Sequence, residues 1–215
     1  MDKAYVRELY QPNLKNPTLV VGLPGLGNVG VMVARLLTER THARLFAELY
    51  SPVLPDYTRT EENGLCRLLN CRFFASERNG GLLILTGDAQ PPAEDILAYY
   101  EICGDILDFV SKIGCKFIIT VDGIPVTYAQ RAIYVAGTSG EVAEKYALMG
   151  AKIYTSGKII GMSGLLLGLA KLRGLSGVCL LSPILDLISD QEAAFNAYKF
   201  LRKVLELGDG DKNLQ

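Results

Sequence analysis

The sequence predicts an α/β protein built on a mixed, largely parallel sheet flanked by helices. Three observations carry this. Short β-branched apolar runs alternate with segments of helical period, as crossover units require. The strand runs at residues 18–23, 116–121 and 178–181 are dominated by apolar and β-branched residues, the pattern of strands covered on both faces. Finally, 215 residues, 49% of them apolar, can bury about 70% of the unfolded chain's surface, enough for one sizeable core.

The elements follow in order. Residues 1–17 contain prolines and read as an N-terminal arm. A strand at 18–23 enters the turn GLPGLGNVG, after which Val29, Val33, Leu36 and Leu37 recur at helical spacing up to Arg40. Residues 43–50 are extended and 51–63 form a long loop. Strands are expected at 65–75 and 82–86. Pro91 and Pro92 introduce a long helix with Leu97, Tyr100, Cys103, Leu107, Val110 and Ile113 as its stripe, closed by Gly114. After the strand at 116–121 comes another at 132–136, then a helix entered through Thr138 and Glu141, the spacing of a capping box, and ended by Gly150. Residues 161–181 are the most apolar stretch, but Lys171 and Arg173 near its middle mark it as buried rather than membrane-spanning. Gly164 and Gly168 have the spacing that lets helices pack closely. A second capping box, Ser189 with Glu192, opens a helix with Ala194, Tyr198, Leu201 and Leu205 on one face. Gly208 stops it, and residues 209–215 read as a mobile tail. One domain spanning 1–215 is expected.

Composition narrows the function. Lys plus Arg (22) nearly balances Asp plus Glu (23), so no field of one sign attracts nucleic acid or an anionic membrane. The N-terminus lacks the apolar core of a secretory signal, which points to the cytoplasm. Five cysteines without a CxxC pair read as small buried apolar residues, and Cys66 and Cys71 on one strand would face opposite ways. His42 is the only histidine, which removes histidine triads and two-histidine metal sites; it reads as a solvated loop residue. No catalytic set and no metal site is expected.

Four segments could still carry chemistry. GLGNVG, residues 25–30, is a GxGxxG between strand and helix, the arrangement that brings a pyrophosphate to a helix N-terminus. On that reading Gly25, Gly27, Asn28 and Gly30 hold a cofactor and Glu48 binds its ribose. The competing reading is a tight turn that packs helix on sheet with no ligand. Asp88 and Asp122 close strands, either as an acid or base at the ligand edge or as turn residues. Ser139 and Ser163 match the nucleophile-elbow motif only loosely. In SPILDLI, Ile184, Leu185, Leu187 and Ile188 are large aliphatics in an expected loop, either folded onto the core or forming a subunit interface.

Taken together, VVGLPGLGNVG, TGDAQPP, GCKFIITVDGIP, GKIIGMSGLLLGLAKLRGLSGVCLLS and the helix with EAA at 192–194 resemble the proteasome assembly chaperone 2 family in its archaeal form, over residues 17–207. The resemblance implies a purine nucleoside phosphorylase-type fold and a homo-oligomer or pairing with a paralogous chaperone. It also implies a non-enzymatic role, without cofactor, in binding proteasome α-subunits. The alternative is a nucleotide- or nucleoside-binding enzyme using GLGNVG. Some members dock through a tail ending in a hydrophobic residue, a tyrosine and any last residue. Asn213, Leu214 and Gln215 depart from that pattern, which places binding in the folded body.

Overall fold

The computed structural model describes residues 2–77, 81–128 and 130–207; Gly208 and the expected tail at 209–215 lie outside them. The segment expected as an arm carries a strand, β1 (Tyr5–Glu8). β2 (Thr18–Val21) leads through the glycine turn into α1 (Val29–Thr41), and β3 (Arg44–Tyr50) follows. The expected loop at 51–63 contains β4 (Thr58–Thr60), which pairs as a hairpin with β5 (Cys66–Leu68). The strand expected at 65–75 is therefore two, β5 and β6 (Cys71–Ser76), so Cys66 and Cys71 share no strand: Cys66 is exposed and Cys71 buried.

β7 (Leu82–Gly87) precedes α2 (Ile96–Lys112), and β8 (Phe117–Pro125) follows it. β9 (Tyr134–Gly137), α3 (Gly140–Leu148) and β10 (Lys152–Ile153) form the next unit. α4 (Met162–Leu172), β11 (Ser176–Ile184) and α5 (Gln191–Val204) complete the described chain. The segment at 161–181 is thus a helix and a central strand. Among the described residues no helix is long and apolar enough to cross a membrane.

Among the described residues, nine strands form one mixed sheet in the order β1-β3-β6-β7-β2-β8-β11-β9-β10. Its centre, β7-β2-β8-β11, is parallel, while β3 and β6 run antiparallel to their neighbours on one flank and β9 runs antiparallel to β11 on the other. Side chains alternate between faces. Leu19, Val21, Leu83 and Leu85 meet α2 and α4 on one side. Val20, Ile84, Ile119 and Val178 meet α1 and α5 on the other. That double cover is why the central strands read as mostly apolar runs with no alternating polar face.

Both expected capping boxes are shifted by one residue. α3 is capped by Ser139, whose Oγ accepts the Val142 N–H (3.3 Å), whereas Thr138 is buried and accepts the Gly177 N–H at 3.0 Å, tying the helix entry to β11. α5 is capped by Asp190, not Ser189. α2 buries Ala98, Ile102 and Ile106 beside Cys103, Leu107 and Val110, so the N-terminal end of the expected stripe is wrong: Leu97 is 80% exposed and Tyr100 52%. Gly164 is required by the Ile159 carbonyl, 2.3 Å from where a Cβ would sit, but Gly168 meets nothing, so no GxxxG packing pair exists.

Candidate functional site

The glycine turn and the aliphatic loop, 160 residues apart in sequence at Asn28 and Ile188, are bonded to each other. Both lie beyond the C-terminal ends of the central parallel strands, the edge where α/β sheets place their sites. Gly22 and Gly30 allow strand end and helix start to touch: a Cβ on Gly22 would lie 2.1 Å from the Gly30 carbonyl oxygen, and one on Gly30 would lie 2.7 Å from that of Val121. Gly27 and Asn28 are left-handed (φ 62° and 49°). The turn then receives the loop. The Gly27 N–H donates to the Leu187 carbonyl (2.8 Å), the Asp190 N–H donates to the Gly27 carbonyl (2.9 Å), and Asn28 Nδ2 donates to the Ile188 carbonyl (2.9 Å).

This geometry opposes a dinucleotide site at Gly25, Gly27, Asn28 and Gly30. The Gly27 N–H that would face a pyrophosphate is spent on Leu187, and the Asn28 N–H is spent on the Gly25 carbonyl. Glu48 is misplaced for a ribose as well. In a dinucleotide fold the acid sits on the strand next to the first, but here β6 and β7 stand between β3 and β2, a separation of roughly 14 Å at ordinary strand spacing. The Glu48 carboxylate instead accepts from Tyr50 Oη and Asn70 Nδ2 and pairs with Arg7.

The loop itself is rigidly built. Ile184 ends β11 and is 1% exposed, so it belongs to the core and leaves the expected interface set, because its alternating position faces α5. Leu185 and Leu187 are 59% exposed and Ile188 79%. Their backbone is pinned from within: one Asp190 oxygen accepts the Leu185 N–H (2.8 Å), the other accepts the Ala193 N–H (2.9 Å), and Asp186 Oδ1 accepts from Ile188 and Ser189. Burial alone would raise the Asp190 carboxyl, but N–H donors from Ala193, Leu185, Asp186 and Glu192 outweigh it and hold it below the usual range. The result is a polar frame displaying three aliphatic side chains, each worth up to about 1.5–3 kcal/mol if buried by a partner.

Both aspartates are structural pins: Asp88 directly follows β7, as expected, whereas Asp122 does not close its strand but lies within β8, which continues to Pro125. Asp122 is buried, which raises its carboxyl despite bonds from the Gly123 and Leu26 N–H groups and Ser163. Gly25 is small because a Cβ there would lie 2.9 Å from Asp122 Oδ1. Asp88 receives Arg67 in a two-pronged bond (2.5 and 2.9 Å), the Asn70 N–H at 3.1 Å, and Arg72 at 3.5 Å. Burial opposes its charge, yet Arg67, the Asn70 N–H and Arg72 hold it ionised below the ordinary range. Asp88 therefore fastens the β4–β5 hairpin to the sheet, more than a turn residue does. Gln90 bridges two further segments, donating to the Pro24 carbonyl and accepting the Met162 N–H.

Little reactive chemistry gathers here. His42 is exposed at the end of α1. Burial pushes the Cys71, Cys103 and Cys179 thiols up to about 12, far from thiolate reactivity. Ser139 serves as a cap, and Ser163 is buried against Asp122. Among the described residues no group of three His, Cys, Asp or Glu could hold a metal ion. What the edge does hold, beside the loop, is a largely apolar cleft of about 530 Å³ with Leu26, Ile124, Ile153 and Ile160 in its lining and Asp122, Thr155 and Lys158 as polar members. Sequence reasoning missed it. Its one signal is the aliphatic pair in GKIIG, of which Ile159 packs partly against the core and Ile160 is exposed.

A family model described as the PAC2 family matches residues 19–211. The chain belongs to the PAC2 family. The fold is similar to Pyrococcus furiosus PbaB, described as an archaeal proteasome activator, at a TM-score of 0.91 and 32% identity over 97% of this chain and 91% of that one. It is also similar to Pyrococcus furiosus PbaA, described as an archaeal homolog of proteasome-assembly chaperone, at a TM-score of 0.79 and 26% identity over 98% and 83% of the two chains. An uncharacterized protein of Methanocaldococcus jannaschii is 28% identical over 84% of this chain and 70% of its own length. The mixed sheet with helices on both faces is thus the fold of solved PAC2 relatives.

Proposed function

We propose that this chain is a non-enzymatic proteasome assembly chaperone or adaptor, acting in the cytoplasm, that binds proteasome α-subunits through its folded body. The observation that carries the reading is the near full-length correspondence with PbaB and PbaA, whose descriptions connect both to the proteasome. What supports it at the site is that the backbone polar groups of the glycine turn are consumed in holding the loop, while Leu185, Leu187 and Ile188 are left outward. A nucleotide enzyme would need the reverse. The chain works as a homo-oligomer or beside a paralogous chaperone, with Leu185, Leu187 and Ile188 as its exposed contact residues.

The test is a calorimetric titration of the purified chain with isolated α-subunits and, separately, with the assembled particle. Saturable binding to free α-subunits supports an assembly role. Binding to the finished particle alone moves the function toward that of a proteasome activator such as PbaB. No heat from either at tens of micromolar removes the proposal.

A further inference from the structure

One sheet edge of this chain carries both a projecting aliphatic loop and an apolar cleft, and neither fills the other. The loop cannot fold into the cleft of its own chain. Leu26, in the cleft wall, directly precedes Gly27, and Gly27 and Asn28 hold the loop through bonds to Leu187, Asp190 and Ile188. A void of about 150 Å³ accepts a benzene ring, so a cleft of about 530 Å³ admits more than one aliphatic side chain. Polar groups match as well. Asp186, between the two leucines, is exposed and uses Oδ1 on the Ile188 and Ser189 N–H groups. Lys158 at the cleft is exposed and makes no ion pair among the described residues.

We infer that the loop of one copy of this chain seats in the cleft of a second copy, with Leu187 and Ile188 in the apolar floor and Asp186 facing Lys158. The occupant is a second copy because the chain itself presents both halves of the contact, apolar to apolar and acid to base. The exposed surface continues past Ile160 onto Ile96 and Tyr100 of α2, so the contact can extend beyond the cleft itself. The inference rests on the homo-oligomer reading above and names the surface that receives the loop, but it stands apart from proteasome binding: a chain that self-associates yet binds no α-subunit keeps it.

Complementation tests it. Leu187→Asp disables the loop and Ile160→Asp the cleft; both residues are exposed in the single chain, 59% and 77%, so the fold tolerates either change. Ile188→Asp is a second loop variant should Leu187→Asp misfold by circular dichroism. Light scattering and sedimentation at micromolar concentration should show the wild type associated and each variant monomeric, with association weakened roughly a hundredfold. An equimolar mixture of loop and cleft variants should recover a two-chain particle, because the first retains an intact cleft and the second an intact loop. Lys158→Glu should weaken association several-fold, less at high salt. A monomeric wild type, or a mixture that stays monomeric, overturns the contact; an unaffected Lys158→Glu overturns the placement of Asp186.

Discussion

Replacing Asp190 should destabilise the protein while replacing its neighbour Ser189 should not, although sequence spacing favours Ser189 as the cap. Asp190→Ala removes the acceptor for the Ala193 N–H at the head of α5, a loss of typically about 1 kcal/mol. It also removes the acceptor for the Leu185 N–H at 2.8 Å, worth roughly another 0.5–1 kcal/mol because solvent replaces part of that bond at an exposed loop. The sum is about 1.5–2 kcal/mol. At roughly 2–4 °C per kcal/mol for a chain of this size, Tm falls by about 3–8 °C. Ser189 is exposed and does not cap α5, so Ser189→Ala should stay within about 0.5 kcal/mol. pH separates this mechanism from a general loss of packing. The Asp190 carboxyl lies below its unfolded value of about 3.9, so its contribution is complete above that pH and disappears as pH falls through the folded value. The gap between wild type and Asp190→Ala should therefore be constant from neutral to about pH 5 and shrink below pH 4. Calorimetric scans across that range decide the matter. An equal loss in Ser189→Ala, or a gap unchanged in acid, would refute the assignment of the cap.

Two further outcomes follow. Arg67→Ala leaves the Asp88 carboxylate, whose side chain is 2% exposed, with the Asn70 N–H at 3.1 Å and, as cationic partners, only Arg72 at 3.5 Å and Arg59 at 3.8 Å, at a cost of about 2–3 kcal/mol; hydrogen exchange should show the β4–β5 amides exchanging faster than the sheet centre, and unchanged protection would mean the hairpin is held otherwise. Because the Gly27 N–H is occupied, nicotinamide and flavin dinucleotides should not stabilise the chain. A genuine ligand at 100 times its Kd adds about 2.7 kcal/mol, roughly 5–11 °C, so a reproducible rise of that size, lost on substituting Gly27, would return the turn to nucleotide binding.

The sequence by itself determined the α/β class, the alternation of elements, the family, and the two segments that meet at the site. These are written in local periodicity and in glycines whose spacing survives any environment. It misread what depends on which strand becomes a neighbour. Glu48 looked like a ribose acid because the strand after a first helix is usually adjacent to the first strand; here β6 and β7 stand between them. Ile184 looked like its neighbours in SPILDLI, yet it is the last residue of β11, a strand covered on both faces, while Leu185, Leu187 and Ile188 lie in the exposed loop beyond the strand end. Thr138 and Ser189 satisfied a local spacing rule, but a tertiary bond to Gly177 claimed the first and Asp190 displaced the second. Only the tertiary structure decided that the glycine turn is filled by the chain's own loop, because a hydrogen bond between Gly27 and Leu187 follows from how the strands are ordered and leaves no periodic mark on either segment.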